Sequence, residues 1–421
     1  ASRPVIKLAD SSSVANNTLL LYKWYNPLYP DDDGRAKHYL ATLRGIDIDM
    51  GDNPNINALS MDGAQYCTIQ DVDIYGTDFA TGILRIPGAV GSIINVKVTG
   101  GDIGIQSASY APQPLLVAVT LENQSLYGMK ITDTRHSTVN VIGFKIVSPE
   151  APSPSYRAVY VEFAPAVDYG KEQSNLYLQD GSIEVSGNSG KAIENISPGQ
   201  MVVLKDVYIK SNDLMVSPAG TIDGDKNNWK KFSNYAFSPS VRSSFIMVNG
   251  TDHSDLNNNV EYYDTIVSAT PPSDLLSRHN WPVTWPSWDD TDKVNIVTDY
   301  NATPYNHTDD DSTVINQAIA DTTDPNHANY GKSVYIPRGH FHVLNNIDVK
   351  AGARLFGAGK NISVIHVDPN YVISGETFVL DTELVATANI SMNDFAILKQ
   401  ESSVIKGLQA HKDMGFVRVR G

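Results

Sequence analysis

The side chains able to do chemistry are spread thinly through these 421 residues. His340 and His342 alternate on a strand-like run, so both point to one side, but no third ligand stands near them in sequence and no metal site is expected. Asp31-Asp32-Asp33 and Asp309-Asp310-Asp311 could attract a cation; the second run lies at the start of a helical pattern, where carboxylates meet unpaired N–H groups. Trp281, Trp285 and Trp288, beside Pro282 and Pro286, either pack a stiff connection or stack against sugar rings as a substrate-binding surface. The lone cysteine, Cys67, excludes an internal disulfide framework and a cysteine-based zinc cage, and reads as a buried apolar side chain. Neither a nucleophile-elbow serine nor a phosphate-binding loop is spelled, and no cofactor is expected.

The elements that would position such groups are short strands in a repeat. Ile48, Val72, Val96, Val119 and Phe144 fall 24, 24, 23 and 25 residues apart, each inside an alternating run closed by Gly, Asn or Asp. Such a period is one coil of a parallel β-helix, with the aliphatic positions stacked inward at the strand spacing of about 4.8 Å. The register is expected to resume at Ile183 and Val207, and again at Phe395 and Val419. Ser148 to Ser155 and Ser211 to Pro239 interrupt it and read as loops thrown out from coils, the kind of segment that walls a groove.

Between Val297 and Lys360 the pattern changes. A short strand, a polar loop from Asn301 to Thr308, one amphipathic helix over Asp311 to Ala320 with Val314, Ile315, Ala318 and Ile319 on one stripe, and then glycine-broken strands suit a cap over the first coil of a second solenoid. The expected organisation is a first β-helix over 1–270, a Pro/Trp-rich linker over 271–293 and a second β-helix over 294–421. With no cap ahead of Ala1 and none after Phe416 to Arg420, further chain at both ends or self-assembly through neighbouring chains is expected to cover the open coils.

VTDY, a loop, TDDDSTVINQAI, SVYIPRGHFHV and LFGAGK together resemble the opening segment of the pectate-lyase-like β-helix superfamily, although the loop lacks its usual glycines. A second such segment after a complete solenoid is similar to glycoside hydrolase family 55, the secreted exo-β-1,3-glucanases of two tandem β-helices. The resemblance implies two tandem right-handed parallel β-helices, an all-β fold. It also implies an inverting hydrolase, in which a protonated carboxyl serves the leaving oxygen while a held water attacks from the far side. On that resemblance Gln113 and Ser137 look like the water-holding pair. The acid would be a glutamate beyond the strand holding Phe395, but Gln409 stands near its place, which leaves Glu401 and Asp394 as nearby carboxylates, an acid beyond Gly421, or an inactive member.

Formal charge is −15 with pI near 5.0, which disfavours nucleic acid and an anionic membrane surface as partners. No stretch is apolar enough to span a bilayer. Sequons at Asn16, Asn123, Asn195, Asn249, Asn301, Asn306, Asn361 and Asn389 lean toward a secreted, extracellular glycoprotein. The expectation is a hydrolase of neutral β-glucan, the alternatives being a non-catalytic structural or glycan-binding protein of an extracellular layer and a polysaccharide lyase; the net negative charge speaks against the lyase unless a local basic groove exists.

Overall fold

A computed structural model describes residues 3–22, 41–61, 63, 66–88, 90–107, 114–132, 137–162, 174–196, 201–239, 246–248, 250–255, 257–280, 292–306, 308–359, 362–367, 378–382, 389–399, 406–409 and 416–420. They form two compact units that divide between Pro282 and Val283. Strands dominate both, and no described helix is long and apolar enough to cross a membrane. Both units are parallel β-helices.

In the first unit the coils feed two sheets, and one coil gives the first sheet two short strands, Thr42–Arg44 and Asp47–Asp49, both paired with Thr68–Tyr75. The first sheet stacks Val5–Lys7, Asp47–Asp49, Thr68–Tyr75, Ser92–Thr99, Leu115–Glu122, Ser137–Val147, Ser174–Glu184 and Met201–Lys210, all parallel. The second stacks Thr18–Tyr22, Asp52–Met61, Asp78–Arg85, Ile103–Ser107, Tyr127–Ile131, Arg157–Val161, Lys191–Asn195 and Asp213–Ser217. Inward Ile, Val, Leu, Met and Phe side chains from both sheets, Cys67 among them, make one continuous core.

The long strands of the first sheet bend at a single left-handed residue. Asp71, Asn95, Ala118, Gly143, Asp180 and Asp206 all have φ between 51° and 67°, and each lies between the same two paired positions on successive coils. One such residue turns the chain through a corner, so what the sequence spells as one strand covers two faces of the coil. Asn and Asp tolerate this conformation because of their short polar side chains, and along the column Asn95 Nδ2 donates to Asp71 Oδ1 of the preceding coil at 2.7 Å.

The register corrects the expected column at two places. Ile48 pairs with Ile74 rather than Val72, and Val207 pairs with Gly181 while Ile183 pairs with Ile209. Both slips are of two residues, and because side chains alternate with period two every one of these positions still points inward. A second correction concerns Ser211 to Pro239. The segment is not a projecting loop: Asp213–Ser217, Gly220–Asp223 and Lys230–Ser238 are strands, and the last two, with Val260–Val267, pair antiparallel. Reversal of direction ends the parallel winding, and Phe232, Tyr235 and Tyr263 meet edge-on over the end of the core. Tyr235 and Ser217 hydroxyls both donate to Glu261 Oε1, at 2.8 and 2.9 Å, tying the two sheets together there.

The second unit has three short parallel sheets. Its coils run Ser333–Ile336, Gly339–Val343, Ile347–Val349, then Arg354–Gly357, Ser363–Val367, Phe378–Thr382, then Asn389–Asn393, Ala396–Lys399, Lys406–Gln409, and Phe416–Arg420 follows. Val419 pairs with Met392, not with Phe395, which packs beside the core outside any strand. The helix runs Ser312–Thr323, starting one residue later and ending three residues later than expected, and lays Ile315, Ala318 and Ile319 on the core end.

Each first strand of this unit has its open edge occupied. Lys293–Asn295 pairs with Ser333–Ile336. Asn316, from the helix, accepts from Asp348 N–H and donates to Asn346 C=O at 2.8 and 2.9 Å, acting as a strand partner for Ile347–Val349. The strand Gly339–Val343 and the residue after it are covered by the acidic run. His342 N–H donates to Asp311 Oδ2, Leu344 N–H to Asp310 Oδ1, and the His342 carbonyl accepts from Asp311 N–H. The expected role of Asp309-Asp310-Asp311 at the helix start is carried by Asp310, whose Oδ1 accepts from Ser312 N–H at 3.0 Å; Asp311 makes no side-chain cap bond, and the Asp310 and Asp311 carboxylates also satisfy an open sheet edge.

Candidate functional site

Most of the residues expected to act fall outside the described residues: Gln113, Trp281, Trp285, Trp288, Glu401 and the run Asp31-Asp32-Asp33. Ser137 opens the strand Ser137–Val147 and pairs with Ser174. Gln409 closes Lys406–Gln409, and Asp394 turns left-handed after Asn389–Asn393.

The sequons separate by burial. Asn16, Asn123 and Asn301 are exposed and Asn306 is half-buried. Asn195 is 1% exposed, because it pairs with Val161 at an inward position of the second sheet, and a glycan has no room there; this corrects one of the eight expectations. Asn249 and Asn361 lie outside the described residues, as does the side chain of Asn389.

His340 and His342 do share one side of their strand. His366, paired with His342 on the next coil, brings a third imidazole, with ring centres 6.0 Å from His342 and 6.5 Å from His340. His342 is 3% exposed with Nδ1 3.0 Å from the Asp309 carbonyl, and Tyr305 stacks on His340. Among the described residues no group of three or more His, Cys, Asp or Glu is arranged to hold a metal.

The side chains that converge on an accessible face lie elsewhere, on the outer side of the second sheet of the first unit. Two rows run across adjacent coils there: Tyr127, Arg157, Lys191, and Lys130, Tyr160, Glu194. Alternation breaks inside these strands, where half-buried residues three apart flank two buried ones along Tyr127–Ile131 and Arg157–Val161, so the two rows stay outside the core while Met129, Val159 and Ile193 go into it. The Tyr127 and Tyr160 rings are 5.0 Å apart and tilted by 33°, and the Lys130 ammonium lies 5.3 and 5.9 Å from their centres and 3.6 Å from Glu162. Arg157 Nε and Lys191 Nζ both donate to Glu194, one to each oxygen. Arg157 Nη1 is spent on the Pro154 and Tyr156 carbonyls, each at 2.8 Å.

Electrostatics assign roles on this face. Burial, with Glu162, Tyr127 and Glu194 around it, pushes the Tyr160 phenol up to about 12 against the pull of Arg157, so it stays a hydroxyl donor and acceptor and is no base at neutral pH. Burial would raise the Glu194 carboxyl, but hydrogen bonds from Lys191 and Arg157 and their charges hold it below the ordinary range. It is therefore a fixed anion and not a proton donor. The described carboxyls held above their ordinary range are Asp73 and Asp311. Asp73 is raised by burial, against the opposing pull of Arg3, to which it is paired at 2.6 Å; Asp311 is raised by burial too and is 2% exposed under its backbone donors. Asp73 stands on the first sheet, the tyrosines stand on the second, and Asp311 belongs to the other unit. What the face offers is aromatic plates, phenolic hydroxyls and one ammonium with donors to spare, on coils about 4.8 Å apart.

No sequence signal marks this face. Its residues sit three apart within a strand and 30 to 34 apart between strands. Only the register aligns them.

Comparison with known proteins bears on the second unit. Residues 294–410 match the family model described as rhamnogalacturonase A/epimerase, pectate lyase-like. That stretch is similar to a pectate-lyase-like family, and its three parallel sheets are those of a parallel β-helix. No curated protein matches the chain. Among solved structures, a point mutant of AlyGC, an alginate lyase of the PL6 family, matches at 10% identity over 96% of this chain and 75% of that one, with a TM-score of 0.18. A superposition that loose gives no residue of this chain a role.

Proposed function

We propose that this protein is directed at polysaccharide and lays a glycan chain across the outer face of the second sheet, over Tyr127, Lys130 and Tyr160. The carrying observation is the aromatic pair bracketing Lys130 on neighbouring coils of a rigid solenoid. Sugar rings present C–H faces to aromatic plates and hydroxyls to phenols and ammonium groups, and strand spacing is close to the length of one sugar residue. The pectate-lyase-like domain supports a carbohydrate-active role for the chain. The reaction we propose is hydrolysis of β-1,3-glucan outside the cell by inversion, with Gln113 and Ser137 holding the water and the acid drawn from the chain around Glu401.

A second reading is glycan binding without cleavage. It is favoured by the closed Arg157–Glu194–Lys191 triad, which leaves the one carboxylate inside the rows unable to donate a proton.

Incubation with laminarin, polygalacturonate, rhamnogalacturonan and alginate, read by reducing ends and by ultraviolet absorbance of unsaturated products, tests both. New reducing ends from laminarin without absorbance support hydrolysis, and unsaturated products replace it with elimination. Binding to a glycan without products, lost in Tyr127→Ala and Tyr160→Ala, supports the second reading. Binding and products both unchanged in those two variants would remove the face from either.

A further inference from the structure

The left-handed column of the first sheet changes character at its middle. Asp71 and Asn95 precede, Asp180 and Asp206 follow, yet Ala118 and Gly143 stand between them. Alanine gains nothing from the left-handed region, which is costly for an L-residue, and it lacks the polar side chain that makes Asn and Asp tolerant there. A second chain segment lies on this gap. A Cβ at Gly143 would stand 2.9 Å from the Leu275 carbonyl and 2.9 Å from His279 Cδ2.

That segment is a helical turn, with Arg278 N–H donating to Asp274 C=O and Asn280 N–H to Leu276 C=O. Leu275 is 5% exposed. His279 Nε2 is 2.9 Å from Asp180 Oδ2, and Arg278 reaches Asp180 Oδ1 at 3.7 Å while also pairing with Asp274. A glycine seat, one apolar plug and two cationic or hydrogen-bonding side chains on a single carboxylate hold a piece of chain that has no strand pairing of its own.

We propose that Asp274–Asn280 is a releasable clasp seated on the Gly143–Asp180 corner. Its hold is local, so it opens without unwinding the coils beneath it.

Amide hydrogen exchange on the full chain tests this with three variants. Gly143→Asn keeps a residue type that Asn95 already shows is accepted in this column, while its side chain occupies the seat. Asp180→Asn removes the charge under His279 and Arg278. Asp206→Asn, on the same column but paired with Lys205 and Lys231, is the control. Exchange across 272–280 is expected to rise about tenfold to a hundredfold in the first two variants, with the strands from 115 to 210 unchanged and the control like the parent. Unchanged exchange at 272–280 in Gly143→Asn would overturn the proposal. So would a rise spread evenly over the coils, or an equal rise in Asp206→Asn.

Discussion

Replacing Glu194 by glutamine changes one charge at the centre of the tyrosine-bearing face and keeps its shape. The side chain is 10% exposed and receives Arg157 and Lys191, themselves largely covered. A hydrogen bond to a charged group contributes about 1.5–3 kcal/mol, and glutamine retains one acceptor of the two. The loss expected at pH 7 is therefore about 1.5–3 kcal/mol, which for a unit of this size lowers Tm by roughly 3–10 °C. The sign of the pH dependence follows from the depressed carboxyl. Its stabilisation is fully present above the unfolded glutamate range, near pH 4.3, and is lost as pH falls through its lower folded value. The gap between parent and Glu194→Gln should thus hold from pH 8 to about 5 and close toward pH 3. Binding should shift as well, because Arg157 and Lys191 lose their anion: affinity for polygalacturonate rises relative to laminarin, most at low salt. Calorimetric melts at pH 7 and pH 3, with titration of both glycans, read all three effects. A melting gap that is absent at pH 7, or as wide at pH 3 as at pH 7, would refute the triad as described.

The acidic run should split by sign. Burial would raise Asp310, but hydrogen bonds from Ser312, Leu344 and Asn345 together hold it low, so the stability lost in Asp310→Asn should narrow on acidification below about pH 4. Asp311 is pushed up by burial, so the parent gains as pH falls and the gap to Asp311→Asn should widen; urea titrations at pH 7 and pH 4 separate the two. Gly181→Ala drives a Cβ into the buried Phe144 ring and should destabilise the first unit by about 1–3 kcal/mol, whereas Gly220→Ala, with nothing near its Cβ, isolates the backbone term. In protein from its native source, peptide mass mapping should find glycan at Asn123 and none at Asn195.

The sequence by itself determined the solenoid. Aliphatic residues recurring about every 24 positions in short alternating runs have one common solution, inward stacking in parallel coils, and an amphipathic helix followed by glycine-broken strands has one evident place, over an open core end. Both are local and periodic signals, and the two-residue slips at Ile48 and Val207 did not matter because alternation preserves the face. Only the tertiary structure decided what the polar residues do. Asp309 to Asp311 read as a helix start, where Asp310 does accept from Ser312 N–H, but Asp310 and Asp311 also satisfy the open edge of a strand that begins some thirty residues later. Asn195 read as a surface sequon, but register turned it inward. Tyr127, Lys130, Tyr160 and Glu194 carried no motif, since residues on different coils become neighbours through backbone pairing across dozens of residues, and the lengths of the intervening connections, not any local pattern, set which side chains meet.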